Sequence, residues 1–168
     1  MSEENPSDHV LLAQCEVDLY RASGPGGQNR NKVETAVRMR HVPTGVTVIA
    51  EESRSQAENR ARALRRMRKA LALKVRHPVA ENGVPSAVSA CIGRDGRLRV
   101  GQKDARYLSA AAAVLDLLYA VDGSVSIAAQ RLGLTTGNLS GFLTADIELL
   151  VEVNRLREGF GLKALRAD

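Results

Sequence analysis

The sequence predicts an α+β protein, in which a small mixed β-sheet carries a packed basic helix and a β-hairpin then leads into a helical module. Three observations predict this class. Apolar and polar residues alternate up to Ala50 between glycine-rich turns, an amphipathic stretch follows, and the sequence after Asp104 is rich in Ala and Leu. We therefore expect domains at residues 1–76 and 86–168, joined by a linker at 77–85.

Three strands are expected in the first domain. The segment Leu11–Ser23 alternates apolar and polar side chains with the period of two that is typical of a strand. Its apolar set is Cys15, Val17 and Leu19. A second strand is expected to begin near Ala36, and Pro43–Gly45 predicts a tight turn into a third. The apolar set of the third strand is Val46, Val48 and Ala50.

A basic amphipathic helix is predicted to begin at Ser55. Glu58 lies three residues later, and this spacing is typical of a capping box. The helix is expected to run to about Val75, because Pro78 cannot continue it. Its apolar side chains recur at steps of three and four residues and are expected to pack on the sheet. They are Ala57, Ala61, Leu64, Met67, Leu71 and Val75.

The positive charge of the chain is concentrated in its first half. Residues 1–80 carry 14 Lys and Arg against 9 Asp and Glu, whereas residues 81–168 carry ten of each, and the net charge is +5. Between Arg54 and Arg76 nine basic residues stand against one acid, Glu58. Such an excess favours a polyanion partner, above all a nucleic-acid backbone. A merely solvated helix face is the alternative interpretation.

The second half predicts a β-hairpin around Asp95–Gly96, followed by helices. The stretch from Leu115 to Leu143 resembles the helix-turn-helix of small bacterial nucleoid proteins, with Gly133 in the turn. Its second helix offers Asn138 but no Lys or Arg, and residues 104–168 hold six basic residues against eight acids. DNA binding is therefore disfavoured, and a structural unit or a protein-docking surface is preferred. The hairpin carries a second basic cluster: Arg94, Arg97, Arg99, Lys103 and Arg106.

The segment GPGGQ, Gly24–Gln28, places three glycines and an amide between two predicted strands. As a plain turn, its glycines only permit positive φ. As a phosphate cradle, it lacks the Lys-Ser/Thr of the P-loop and the third glycine of the dinucleotide motif. As a catalytic loop, it brings unobstructed main-chain N–H groups to a substrate, where each donor to a developing oxyanion contributes about 3–4 kcal/mol.

These residues resemble the GGQ domain of class-I peptide chain release factors and of the codon-independent peptidyl-tRNA hydrolases that rescue stalled ribosomes. The resemblance rests on GPGGQ, on N-x-x-x-T-A-V after it, on the P-T-G turn and on S-R-S-Q before the helix. It implies hydrolysis of the ester between nascent peptide and tRNA in the large ribosomal subunit. Gly26 and Gly27 would let the loop reach the terminal adenosine. The main-chain N–H of Gln28 would stabilise the departing 3′ oxygen, and its side chain would help to admit water.

The resemblance also implies partners: the ribosome with its RNA, peptidyl-tRNA, and a glutamine methyltransferase acting on Gln28. Arg30 departs from the family pattern, which usually has Val or Ile there. Asn31 is expected to cap a short helical turn. The residues expected to bind RNA are Arg21, Gly24, Arg30, Lys32, Arg54, Arg60, Arg62, Arg65, Arg66, Arg68 and Lys69.

Several classes of function are disfavoured. No metal or other cofactor is expected, because His9, His41 and His77 are scattered and Cys15 and Cys91 form no CxxC pair. The longest apolar run falls short of the ~20 residues that span a membrane, and the acidic N-terminus is unlike a signal peptide, so a bacterial-type cytoplasmic location is expected. The chain offers no room for a codon-reading domain, which predicts a codon-independent enzyme. A non-hydrolytic ribosome- or RNA-binding protein is the alternative, and a DNA-binding regulator is the third.

Overall fold

The computed structural model describes residues 6–22 and 34–167, and the chain divides into two compact units, Met1–Leu71 and Ala72–Asp168. The α+β class is confirmed, because the described residues form one three-stranded sheet and seven helices. The strands are β1 (Cys15–Tyr20), β2 (Ala36–His41) and β3 (Thr47–Ala50). The helices are α1 (Asp8–Ala13), α2 (Gln56–Lys74), α3 (Ser86–Ser89), α4 (Tyr107–Ala120), α5 (Val125–Leu132), α6 (Thr136–Thr144) and α7 (Ile147–Gly159). The domain limits expected near residues 76 and 86 stay predictions.

The sheet has the order β1-β2-β3 and is antiparallel throughout, whereas the sequence analysis expects a mixed sheet. β1 pairs with β2 along its whole length, so that Tyr20 lies opposite Ala36 at one end of the ladder. β2 pairs with β3 from Val37 opposite Ala50. The five residues between β2 and β3 are too few for the crossover that a parallel pair needs.

The strand predicted from Leu11 is wrong in its first residues, which form helix α1 instead. The Oγ of Ser7 caps this helix by accepting a hydrogen bond from the N–H of Val10 at 3.4 Å. Leu11 is 1% exposed and joins Met39 and Met67 in the core of the first unit. Helix α1 thus contributes Leu11 to the apolar core of the first unit.

The predicted turn between β2 and β3 is confirmed. The N–H of Gly45 donates to the His41 carbonyl at 2.8 Å, and Gly45 has a φ of 74°, which a residue with a Cβ rarely adopts. The buried His41 ring is held on both sides. Its Nδ1 lies 2.8 Å from the Thr44 hydroxyl and its Nε2 lies 3.1 Å from the Gln14 amide oxygen. Because an amide oxygen only accepts, Nε2 is the donor in its contact with Gln14.

Helix α2 starts after Ser55 as predicted, but the reciprocal half of the capping box differs. The N–H of Glu58 donates to Ser55 Oγ at 3.3 Å. The Glu58 carboxylate accepts from the hydroxyl of Ser53, whose Oγ in turn accepts from the N–H of Ser55 at 3.0 Å. The carboxylate therefore stabilises the first turn through Ser53, which extends the cap two residues upstream.

The face of α2 that packs on the sheet also differs from the prediction, because Ala57 and Ala61 are exposed. The buried positions are Asn59, Ala63, Leu64 and Met67. Asn59 and Ala63 lie two residues after the predicted alanines, which places them about 200° further round the helix, whereas Leu64 and Met67 are buried as predicted. The orientation of the helix is set by the buried Asn59 as well as by apolar side chains.

The second unit contains a helical turn where the first strand of the predicted hairpin was expected. Ser86–Ser89 forms α3, in which the N–H groups of Val88 and Ser89 both donate to the carbonyl of Pro85. The β-hairpin is reduced to a single bridge, Ile92 opposite Leu98, around the predicted turn. Pro85 is the N-cap residue of this turn, and its carbonyl accepts the first two hydrogen bonds of the helix.

Helices α4 to α7 enclose the core of the second unit. Its apolar interior includes Leu117, Leu118, Leu139 and Leu149, each no more than 1% exposed. Three of the helices begin with side-chain caps, from Ser124, Thr135 and Asp146. The helical prediction for this half is confirmed. No helix in residues 6–22 and 34–167 combines the length and apolarity needed to cross a bilayer.

Candidate nucleic-acid interface

The segment with the predicted catalytic residues connects β1 to β2. Gly26, Gly27 and Gln28 lie outside the described residues, as do four further residues singled out from the sequence: Gly24, Arg30, Asn31 and Lys32. Their roles stay predictions. The structure does describe the root of the segment, where the chain leaves the sheet after Tyr20 and returns to it at Ala36.

One side of this root is held by Asn59, which is fully buried. Its Nδ2 donates to the carbonyl of Thr35 at 2.8 Å and to the carbonyl of Ser53 at 2.9 Å. Its Oδ1 accepts from the N–H of Ser53 at 3.0 Å. These bonds use both donors and the acceptor of the amide, and they join the residue before β2 to the start of α2. Asn59 therefore fixes the point at which the segment enters the sheet.

The other side of the root is held by Tyr20, the last residue of β1. Its hydroxyl donates to Glu51 Oε2 at 3.0 Å, which ties the end of β1 to the residue after β3. Partial burial and then the bond to Glu51 raise the pKa of Tyr20 above its ordinary value. Ala22 is buried two residues later. Both ends of the segment thus start from fixed positions.

The basic residues predicted to bind RNA fall into two groups in the structure. Three of them pair with acids inside the first unit. Arg62 lies 3.6 Å from Glu52, and Arg66 forms an ion pair with the same carboxylate. The hydrogen bond from Arg66 is the main cause that lowers the pKa of Glu52 to about 2. Arg68 pairs with Asp8 at 2.6 Å. These three arginines therefore have structural partners.

The second group comprises Arg21, Arg54, Arg60 and Arg65, which are exposed and form no ion pair with any described residue. Three of the four follow residues of the root directly, since Arg21 follows Tyr20, Arg54 follows Ser53 and Arg60 follows Asn59. Cations without an acidic partner among the described residues thus stand next in sequence to the residues that hold the root, which suits contacts to phosphates. Lys69, the remaining predicted residue, has other interactions and is not counted with this group.

The predicted helix-turn-helix is formed by α5 and α6, and Gly133 ends α5 with a φ of 68°. Asn138, the expected base-reading side chain, is engaged elsewhere. Its Oδ1 accepts from the N–H of Leu98 at 2.9 Å and its Nδ2 donates to the carbonyl of Leu98 at 3.2 Å. A side chain that pairs with its own protein in this way cannot read a base edge at the same time.

The residues that hold the root were not predicted from the sequence: they are Asn59, Ser53 and Tyr20. A signal for Asn59 was present, because it lies four residues before Ala63 and eight before Met67, on the stripe that α2 buries. A polar residue on a buried stripe needs partners, and this requirement points to a structural amide. In the part of the chain that the structure describes, no group of three or more metal-binding side chains occurs.

Comparisons with known proteins match most of the chain. The RF-1 domain family model matches residues 7–100. Peptide chain release factor 1 of Geobacter sulfurreducens is 34% identical over 155 residues, which cover 92% of this chain and 38% of that protein. Peptide chain release factor 1 of Geobacter metallireducens is 31% identical over 151 residues, 90% of this chain and 37% of that protein.

A shorter and closer match is to peptide chain release factor 1 of Chloroherpeton thalassium, 55% identical over 62 residues, 37% of this chain and 17% of that protein. The chain thus spans less than two fifths of the length of these curated relatives. The family match runs through the first unit and into the second as far as the bridge between Ile92 and Leu98.

Proposed function

Because this chain belongs to the RF-1 domain family, with the GGQ domain of class-I release factors, we propose that it releases nascent peptides by hydrolysing the peptidyl-tRNA ester on the ribosome. The observation that carries the proposal is the doubly anchored root. The GGQ sequence lies between residues held by Asn59 and by Tyr20. Groups that stabilise a transition state act best when they are held in position beforehand.

The proposed reaction requires few catalytic groups from the chain. An ester is already activated, so the reaction needs a positioned water molecule and a donor to the departing oxygen. We assign donation to the departing oxygen to the main-chain N–H of Gln28. The side chain of Gln28 positions the water molecule. Gly26 and Gly27 leave the backbone without Cβ atoms where the terminal adenosine approaches. No Ser-His-Asp arrangement is required for this reaction. Methylation of Gln28 by a glutamine methyltransferase is part of the proposal.

The root arginines that have no acidic partner in residues 6–22 and 34–167 supply the binding part of the proposal. Arg21, Arg54 and Arg60 contact phosphates of ribosomal RNA or tRNA next to the active segment. Arg62, Arg66 and Arg68 chiefly stabilise the fold through Glu52 and Asp8. Each lost phosphate contact reduces the slope of log affinity against log salt by about 0.7–0.9. We therefore expect Arg60→Ala to weaken ribosome binding in a salt-dependent manner.

We further propose that the activity is independent of the codon, as in the rescue of stalled ribosomes. The support is the resemblance of the GPGGQ segment and the motifs around it to the codon-independent hydrolases that rescue stalled ribosomes. The test mixes the purified chain with ribosomes that carry labelled peptidyl-tRNA on truncated, stop-codon or sense-codon messages. Release from truncated messages without preference for stop codons supports the proposal. Release confined to stop codons contradicts codon independence and leaves hydrolysis standing.

The second candidate is a ribosome- or RNA-binding protein without hydrolysis. The observation that favours it is the set of exposed arginines without acidic partners among the described residues. Sedimentation with ribosomes combined with intact peptidyl-tRNA after prolonged incubation would establish this candidate. An Arg60→Ala variant compared with Arg94→Ala, an exposed arginine of the second unit, separates a specific contact from general charge. DNA binding receives no support from the helix that contains Asn138.

A further inference from the structure

An open cleft of about 390 Å³ lies within the second unit, away from every residue assigned above. It is bordered by the last turn of α2 and by α4 and α7. Its floor is apolar and consists of Leu73, Leu115 and Leu156, of which the first two are at most 4% exposed. A cleft with an apolar floor at this size accommodates a flat ring system.

Two aromatic rings form one edge of the cleft. Tyr119 and Phe160 have ring centroids 5.6 Å apart with planes at 54°. Tyr119 is 54% exposed and Phe160 is 37% exposed, so both present ring surface to solvent. Exposed aromatic faces beside a cleft are the stacking surfaces that proteins use for unpaired bases.

The charged side chains that line the cleft are mostly positive. Lys74, Arg76 and Arg155 stand against one acid, Glu152. Arg76 is compensated by Asp116 at 2.8 Å, and Arg155 is mostly exposed and 3.9 Å from Glu152. Lys74 forms no ion pair within residues 6–22 and 34–167. A ligand with negative charge is therefore complementary to this surface.

The helical walls limit the kinds of partner that the cleft can recognise. A peptide that adds to a sheet as a strand is recognised through free backbone N–H and C=O groups, such as those at a sheet edge. The walls of this cleft come from helices, in which these groups are already hydrogen-bonded. Recognition here must use side chains, and the side chains offered are aromatic rings and cations.

We propose that this cleft binds a nucleotide of single-stranded RNA, with the base on Tyr119 and Phe160 and the adjacent phosphates near Lys74 and Arg155. This site lies in the helical unit and requires no hydrolysis, so it goes beyond the function proposed above. It gives the second unit a way to hold an unpaired RNA segment that is separate from the arginines of the first unit.

The test is the binding of the full chain to a short fluorescent oligoribonucleotide of mixed sequence and to an abasic strand of the same length. Since the arginines of the first unit also attract RNA, the difference between variants is the readout. Tyr119→Ala is expected to weaken binding of the normal strand about five- to hundredfold and that of the abasic strand very little. Lys74→Ala is expected to lower the salt slope by about 0.7 on both strands.

Ile127→Ala and Arg94→Ala are the matched controls, because both side chains are exposed in the same unit and outside the cleft. Circular dichroism verifies that each variant is folded. Equal affinity for the normal and abasic strands, or an unchanged affinity in Tyr119→Ala, would overturn the proposal. Displacement of the RNA by an acidic peptide at equal charge concentration would overturn it as well. The assay contains neither ribosome nor ester, so its failure leaves the proposed hydrolysis untouched, and loss of hydrolysis leaves this site untouched.

Discussion

Substituting Asn59 by alanine tests the anchored root most sharply. The change removes three hydrogen bonds of 2.8, 2.9 and 3.0 Å and leaves the carbonyls of Thr35 and Ser53 and the N–H of Ser53 without this partner. At about 1 kcal/mol for each bond, the first unit should lose about 3 kcal/mol of stability, or roughly a hundredfold in its folding equilibrium.

The assay is hydrogen exchange followed by mass spectrometry on peptides from β2 and β3 across a urea series. Local measurement is needed because the chain has two units that need not unfold together. Gln56→Ala on the same helix is the matched control, since this amide is exposed, and a change within about 0.5 kcal/mol is expected. If Asn59→Ala costs no more than Gln56→Ala, the account of the root is wrong.

Three further outcomes are expected. Burial lowers the pKa of His41, so the unfolded chain binds more protons than the folded chain near pH 6. Exchange protection of β2 should therefore fall as the pH drops below about 6.5. Protection that does not change with pH in this range would contradict the prediction. Asp116→Asn should destabilise the second unit by about 3 kcal/mol in urea titrations, because it leaves the half-buried Arg76 without its carboxylate; a loss under 1 kcal/mol would argue against that pair. Tyr20→Phe should cost the first unit about 1 kcal/mol by the same exchange assay, and no change would show that the bond to Glu51 is not stabilising.

Much of the first unit follows from local sequence signals. The start of β2, the turn at Pro43–Gly45 and the start of α2 were all predicted, because each depends on residues close together in the chain. Helix α1 was not predicted, because its conformation does not depend on local residues alone. Its six residues are too few to show a helical period, and the burial of Leu11 against distant residues decides its conformation.

The basic residues of the candidate site were predictable from the sequence, but the ion pairs that some of them form were not. The sequence shows an excess of arginine between residues 54 and 76, yet the partners of Arg66 and Arg68 are Glu52 and Asp8, which tertiary contacts bring close. The spacing of residues along the sequence does not indicate such tertiary ion pairs. Asn59 was missed because a polar residue on an amphipathic helix is assigned to the solvent face by pattern alone.

The central claim is that the glycine-rich segment between the two anchors carries out hydrolysis. The most direct measurement is the single-turnover rate of peptide release by Gly27→Ala at saturating protein, with ribosome binding measured in parallel by sedimentation. Gly101→Ala is the control, because Gly101 is exposed and a Cβ there meets no atom within 4 Å. The account predicts release about a hundred- to a thousandfold slower in Gly27→Ala, with binding unchanged and the control at the wild-type rate. Release at the wild-type rate by Gly27→Ala would contradict it.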